Sequence, residues 1–191
     1  MTTQPIRSKK NIKQMAQYFF NRHEYRNHLL FLMGIHTALR ISDMLRLTWG
    51  DVYDFDNGRV RREFEITEKK TGKSKIIAVN SVLVGAIDKL FKRTKPESGD
   101  FLFANQRTGK AISRIQAYRI IRAAAEECEV ETPVSCHSLR KTFGYHLWKK
   151  GTPIVVIMDI YNHSSYAVTK RYLGITQDDK NSAYLELSYT A

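Results

Sequence analysis

One stretch of this 191-residue sequence abandons helical periodicity, and it sets the limits on the fold. In VRREFEIT, Val60, Phe64 and Ile66 share one face with Arg62 intruding, while Arg61, Glu63, Glu65 and Thr67 take the other. That two-residue repeat is the mark of a half-buried strand. KTGK then supplies a turn in which Gly72 is free to take positive φ, and SKIIAVN supplies the returning strand. With a shorter strand around Val52 to Phe55, the expectation is a small three-stranded antiparallel sheet. The other segments space their apolar residues three and four apart, so the fold class is α+β and mainly α-helical.

The helical segments carry their own end signals. Ser8 caps a helix from about Lys9 to Phe20. YRNHLLFLMGIHTALR reads as a largely buried helix that delivers Arg40 at its end, and Ser42 caps a short helix after it, which places Arg40 in the bend. Ser81 caps a helix whose core stripe is Leu83, Ile87, Leu90 and Phe91, and Ser113 with Gln116 makes a capping box for the next. A helix carrying His137 ends at Gly151 after two lysines, and another opens at Thr152 and Pro153 and stops before Asn162. Ser164 or Ser165 begins the short helix of Tyr172, and a last helix runs from about Gln177 to Leu187. A chain of this length buries one good core, so residues 1–191 are expected to form a single domain.

The charge points to a polyanionic partner: 31 lysines and arginines face 19 acids, a formal +12. Five basic residues and no acid lie between Arg107 and Arg122, which singles out Arg107, Arg114, Arg119 and Arg122 as nucleic-acid contacts, with Lys69 and Lys73 on the hairpin tip and Lys141 beside the HxxR pair. No apolar run approaches the length of a bilayer span and the N-terminus lacks the apolar stretch of a signal peptide, so a cytoplasmic location and no membrane partner are expected. Cys128 and Cys136 have no CxxC spacing, and two cysteines with scattered histidines offer no metal-ligand cluster.

The chemistry concentrates in CHSLRKTFGYHLWKKG and NHSSYAVTKRYL. His137 and Arg140 sit three apart where a helix begins, so both project from its first turn. His163 precedes Tyr172 by nine residues, and Tyr172 adjoins Lys170 and Arg171. Arginines and histidines beside a tyrosine in a basic chain suit attack of a phenol on a phosphodiester whose charge guanidinium groups hold. Tyr161 and Tyr166 are the rival nucleophiles. His23, His28, His36 and His146 read as ordinary structural or surface histidines, and Trp49 and Trp148 as packing residues.

Taken in order, ALRISD, the KKTGK hairpin, HSLRKTF, NHSS and KRYLGI resemble the catalytic domain of tyrosine recombinases of the phage integrase family, from about Lys10 to Ser188. The resemblance implies a catalytic set of Arg40, Lys70, His137, Arg140, His163 and Tyr172, with no metal and no cofactor. It implies site-specific DNA recombination (integration, excision or inversion) through a 3′-phosphotyrosyl intermediate on double-stranded DNA. It also implies a homotetramer in which the C-terminal segment, around Ala183, Leu185 and Leu187, contacts a neighbour. Two departures stand out. Tyr161 and Asn162 replace the usual Leu-Gly before His163, and asparagine tolerates the left-handed backbone such a turn needs. The N-terminal core-binding domain common in the family is expected to be absent. A non-catalytic DNA-binding regulator and a type IB topoisomerase are the competing functions.

Overall fold

The structure, a computed structural model, describes residues 3–187; Ser188, where the resemblance to recombinases ends, lies outside the described residues. The fold is built around α2 (Tyr25–His36), in which every residue from Leu29 to Ile35 is buried. Around it pack α1 (Lys9–Asn21), capped by Ser8, then α5 (Ser81–Thr94) and α7 (Cys136–Lys149). α2 and α7 approach so closely that a Cβ on Gly34 would lie 2.6 Å from Leu139 Cδ1. That contact sets the position of the first turns of α7, and hence of His137 and Arg140.

Between α2 and α5 the chain makes α3 (Ile41–Met44), α4 (Trp49–Val52) and the β segments. Arg40, and not Ser42, caps α3, two residues earlier than its sequence suggests. β1 (Tyr53–Asp54) pairs with β2 (Arg59–Val60), and β3 (Glu63–Thr67) pairs with β4 (Ser74–Ala78), both antiparallel. These are two separate two-stranded ladders in place of the expected three-stranded sheet. The physical reason is at Arg61 and Arg62, where the extended chain changes partner: Arg61 N–H still bonds the Val52 carbonyl, while the Arg62 carbonyl already accepts from Val79 N–H. One long strand is thereby divided between two neighbours.

Similarly, α5 is capped by the Asn80 side chain rather than Ser81. α6 (Arg114–Glu127) begins with the Ser113–Gln116 capping box. Three short helices finish the described chain: α8 (Ile154–Tyr161), α9 (Tyr166–Leu173) and α10 (Gln177–Glu186). Ala38, Ile157, Tyr161 and Leu173 form a small buried cluster of their own, with Phe143, Trp148 and Tyr172 packed against it. This second core lies under the site described next. The N-terminal segment straps across α7: Ile6 is buried, its N–H donates to Thr142 Oγ1, and Lys141 Nζ donates to the Thr3 carbonyl. No helix among the described residues is long and apolar enough to cross a membrane.

Candidate active site

Arg40 sits in the bend between α2 and α3, where the backbone takes an extended conformation after Ala38 at φ 56°. Its guanidinium meets the Glu68 carboxylate at 2.8 Å. Arg140 emerges from the second turn of α7 and is buried, with 2% of its surface exposed. Its Nε donates to the Tyr172 hydroxyl at 3.1 Å, one terminal nitrogen bonds the Ala38 carbonyl and the other bonds the Tyr161 carbonyl at 3.2 Å. A guanidinium has five N–H groups, so two remain for a ligand or for Glu68 Oε1, 3.9 Å away.

His137, on the first turn of α7, is placed by the Ser135 cap, whose hydroxyl accepts from the His137 and Ser138 N–H groups. Its Nδ1 lies 3.3 Å from the Tyr172 hydroxyl. Burial, and then the positive charges of Lys141, Arg140, Arg40 and Lys70, hold the His137 imidazole at about 4. Neutral at ordinary pH, in the tautomer protonated at Nε2 its Nδ1 lone pair accepts the phenol's hydrogen while the Arg140 N–H donates to the same oxygen.

His163 follows the turn at Asn162, which takes the left-handed conformation (φ 54°) expected of it as the cap of α8. The His163 ring stacks on Tyr161, stands edge-on to Tyr172 with centroids 5.0 Å apart, and bonds Thr169 through Nδ1 at 3.0 Å. Burial and the two arginines lower it also to about 4. Tyr172 occupies the last turn of α9, opened by the Ser165 cap. Burial raises its phenol and the Arg140 and Arg40 charges oppose that rise. Tyr161 ends α8 and is buried, its hydroxyl bonded to the Arg140 carbonyl at 2.6 Å, which leaves Tyr172 as the tyrosine aimed at the arginines.

Thus Arg40, His137, Arg140, His163 and Tyr172, drawn from two helices, one bend and one turn, come together in one place. Lys70 joins them at the rim: with Arg40, His137, Arg140 and the start of α6 it lines an open cavity of about 880 Å³. Arg114 lines that cavity too, and Lys69, Lys73, Arg107 and Arg119 are exposed. Arg122 is exposed but paired with Glu126 at 2.6 Å. Lys141 departs from its expected place on the open surface. It is 5% exposed, is bonded to Thr3, and has its ammonium 5.6 Å from the Tyr172 ring, because the N-terminal strap covers that side of α7.

Several participants escaped the reading of the sequence. Glu68 is wholly buried and ion-paired with Arg40 and Lys75. Asp43, also buried, accepts from the Lys69 N–H at 3.0 Å and so ties α3 to the hairpin. A signal for Glu68 was present: it continues the core-facing parity of Phe64 and Ile66, which puts a carboxylate on an apolar face where it must find cations.

Residues 7–178 match the sequence profile described as the phage integrase family. A probable integrase/recombinase of Bacillus subtilis (strain 168), YoeC, is 42% identical over 181 residues, 95% of this chain and 94% of that protein. The crystal structure of XerA recombinase superposes with a TM-score of 0.78 at 19% identity, covering 99% of this chain and 65% of that one. XerH recombinase, in a post-cleavage complex with a palindromic difH substrate, gives a TM-score of 0.76 at 18% identity, over 96% of this chain and 53% of XerH. The chain therefore spans nearly all of YoeC and between half and two thirds of the two solved recombinases.

Proposed function

This chain belongs to the phage integrase family, and we propose that it carries out site-specific DNA recombination as a tyrosine recombinase, with Tyr172 as the nucleophile. The observation that carries the assignment is the Tyr172 hydroxyl held between Arg140 Nε and His137 Nδ1. The phenol oxygen attacks the phosphorus of a backbone phosphodiester as its proton passes to His137. Arg40 and Arg140 bond the non-bridging oxygens, whose charge grows toward the transition state, so their effect falls mainly on the rate. His163, its proton favoured once a phosphate lies beside it, adds a third donor. Lys70 protonates the departing 5′ oxygen. The bond from phosphorus to that oxygen breaks as the bond to Tyr172 forms, leaving a 3′-phosphotyrosyl link and a free 5′ hydroxyl. Attack by another 5′ hydroxyl reverses the step and reseals the strand to a new partner.

Residues 1–191 act in this reading as one catalytic domain. Arg107, Arg114, Arg119, Lys69 and Lys73 neutralise phosphates around the cleavage point, and four protomers assemble on two duplexes in the cytoplasm. α10 and the residue that caps it support the assembly, since Tyr184, Leu185 and Leu187 are 78%, 83% and 64% exposed. Such a helix suits docking on a neighbour.

A duplex selected from a random-sequence pool by binding to the Tyr172→Phe protein, then nicked near the cleavage point, tests the assignment. The wild-type chain is expected to form a covalent protein–DNA adduct in EDTA, and Tyr172→Phe to bind without one. An adduct that survives Tyr172→Phe would refute the assignment. Plasmid relaxation without strand exchange would instead mark a topoisomerase.

A further inference from the structure

Glu68 has no part in the reaction just described, yet apart from α9 it touches the segments that supply the reaction. Its Oε2 meets Arg40 at 2.8 Å and accepts from Thr71 Oγ1 at 2.9 Å and from Asn162 Nδ2 at 3.3 Å. Its Oε1 meets Lys75 Nζ at 3.0 Å and lies 3.9 Å from Arg140. These partners come from the α2–α3 bend, the hairpin turn that carries Lys70, β4, α7 and the residue before His163. We propose that Glu68 is a positioning residue for strand cleavage, an internal anion that holds Arg40, Arg140 and the Lys70 turn in place before DNA supplies its phosphate.

The physical argument is one of charge and reorganisation. Arg40, Lys75 and Arg140 converge on a space from which water is largely excluded, where uncompensated cations repel and turn outward. A fixed carboxylate among them keeps their N–H groups gathered, so an arriving phosphate meets donors already aimed, and little free energy goes into reorienting them as charge develops. Burial works to raise the Glu68 carboxyl, but its bonds from Arg40, Lys75 and Thr71 overcome that and hold it at about 2, so it stays ionised throughout the working range. Its charge also reaches Tyr172 and His163, where it opposes the pull of Arg140 and Arg40.

This inference rests on the reading of the site given above, and the test separates the two. With the full chain and the selected nicked duplex at saturating protein, the single-turnover cleavage rate constant is independent of the folded fraction. Glu68→Gln should lower it by about 10–100-fold, the usual effect of removing such a supporting partner. DNA affinity should stay within about threefold, because the surface that neutralises phosphates is unchanged. The pH at which cleavage falls should also move down, since loss of the Glu68 charge disfavours the protonated His163 that donates to the phosphate, a change that a merely structural role would not produce. A wild-type rate, or a lowered rate with an unmoved pH profile, overturns the proposal. If Glu68→Gln does not fold, Glu68→Asp keeps the charge on a shorter arm. It should cleave slowly with the wild-type pH profile, and a wild-type rate there likewise overturns the proposal. Failure of the site itself shows separately, as an adduct that Tyr172→Phe leaves intact in the otherwise wild-type chain.

Discussion

A single methyl group, placed where no polar chemistry occurs, should disable this site. A Cβ added at Gly144 on α7 would lie 2.2 Å from the Tyr161 hydroxyl and 2.7 and 2.8 Å from two of its ring carbons. Tyr161 is fully buried and cannot swing into solvent. Its ring stacks on His163, lies under the Arg140 guanidinium at 4.8 Å and touches Tyr172 at 4.9 Å, and its carbonyl accepts from Arg140. Overpacking a close-packed core costs about 1–3 kcal/mol. Losing the hydroxyl's bond to the Arg140 carbonyl adds about 1 kcal/mol, and the better helix propensity of alanine returns about 1 kcal/mol. The net destabilisation is therefore about 1–3 kcal/mol, or a fall in Tm of about 2–12 °C for a domain of this size. Cleavage should fall further than stability, about 10²-fold, since a displacement near 1 Å at a reacting group has that effect. Thermal unfolding and single-turnover adduct formation measure the two. Tyr161→Phe removes the atom of nearest approach and should partly rescue Gly144→Ala in both. An unchanged Tm and rate for Gly144→Ala, or no coupling with Tyr161→Phe, would refute the reasoning.

Two further outcomes follow from the same geometry. Arg40→Ala should slow cleavage by about 10²–10³-fold while DNA affinity changes little, whereas Arg114→Ala should weaken binding, reduce its salt slope by about 1 and leave the saturated cleavage rate alone; equal losses of rate and affinity in both would contradict the division of roles. Stability should fall as the pH is lowered from about 6.5 toward 4, because His137 and His163 are held neutral to about 4 in the folded chain while the unfolded chain takes up protons near its ordinary value. Below about 4.5 the Glu68 contribution adds to the loss as its carboxyl is titrated toward about 2. Urea midpoints at pH 7 and pH 5 measure the histidine part, and the His137→Asn/His163→Asn protein should show a smaller difference between them.

Much of this architecture is local and hence legible along the chain. Ser8, Ser113 and Ser165 cap helices as their spacing indicates, because a hydroxyl reaches N–H groups only two or three residues on. The left-handed turn at Asn162 and the placement of Arg40 in a bend have the same local origin. The set of Arg40, Lys70, His137, Arg140, His163 and Tyr172 came from the resemblance to the recombinases, whose motifs follow one another along the chain.

The tertiary structure decided the matters that depend on partners distant in sequence. Whether Lys141 faces DNA or the Thr3 carbonyl depends on a segment 138 residues away, and periodicity carries no record of it. The split at Arg61 and Arg62 arises because Val52 and Val79 compete for one extended chain. The parity of Glu68 with Phe64 and Ile66 marks its position as inward-facing, but only folding brings it to Arg40, Lys75 and Asn162, the last 94 residues on. Helix caps and strand parity are set by backbone geometry over a few residues, whereas a buried charge is tolerable only where the whole fold delivers its counter-charges.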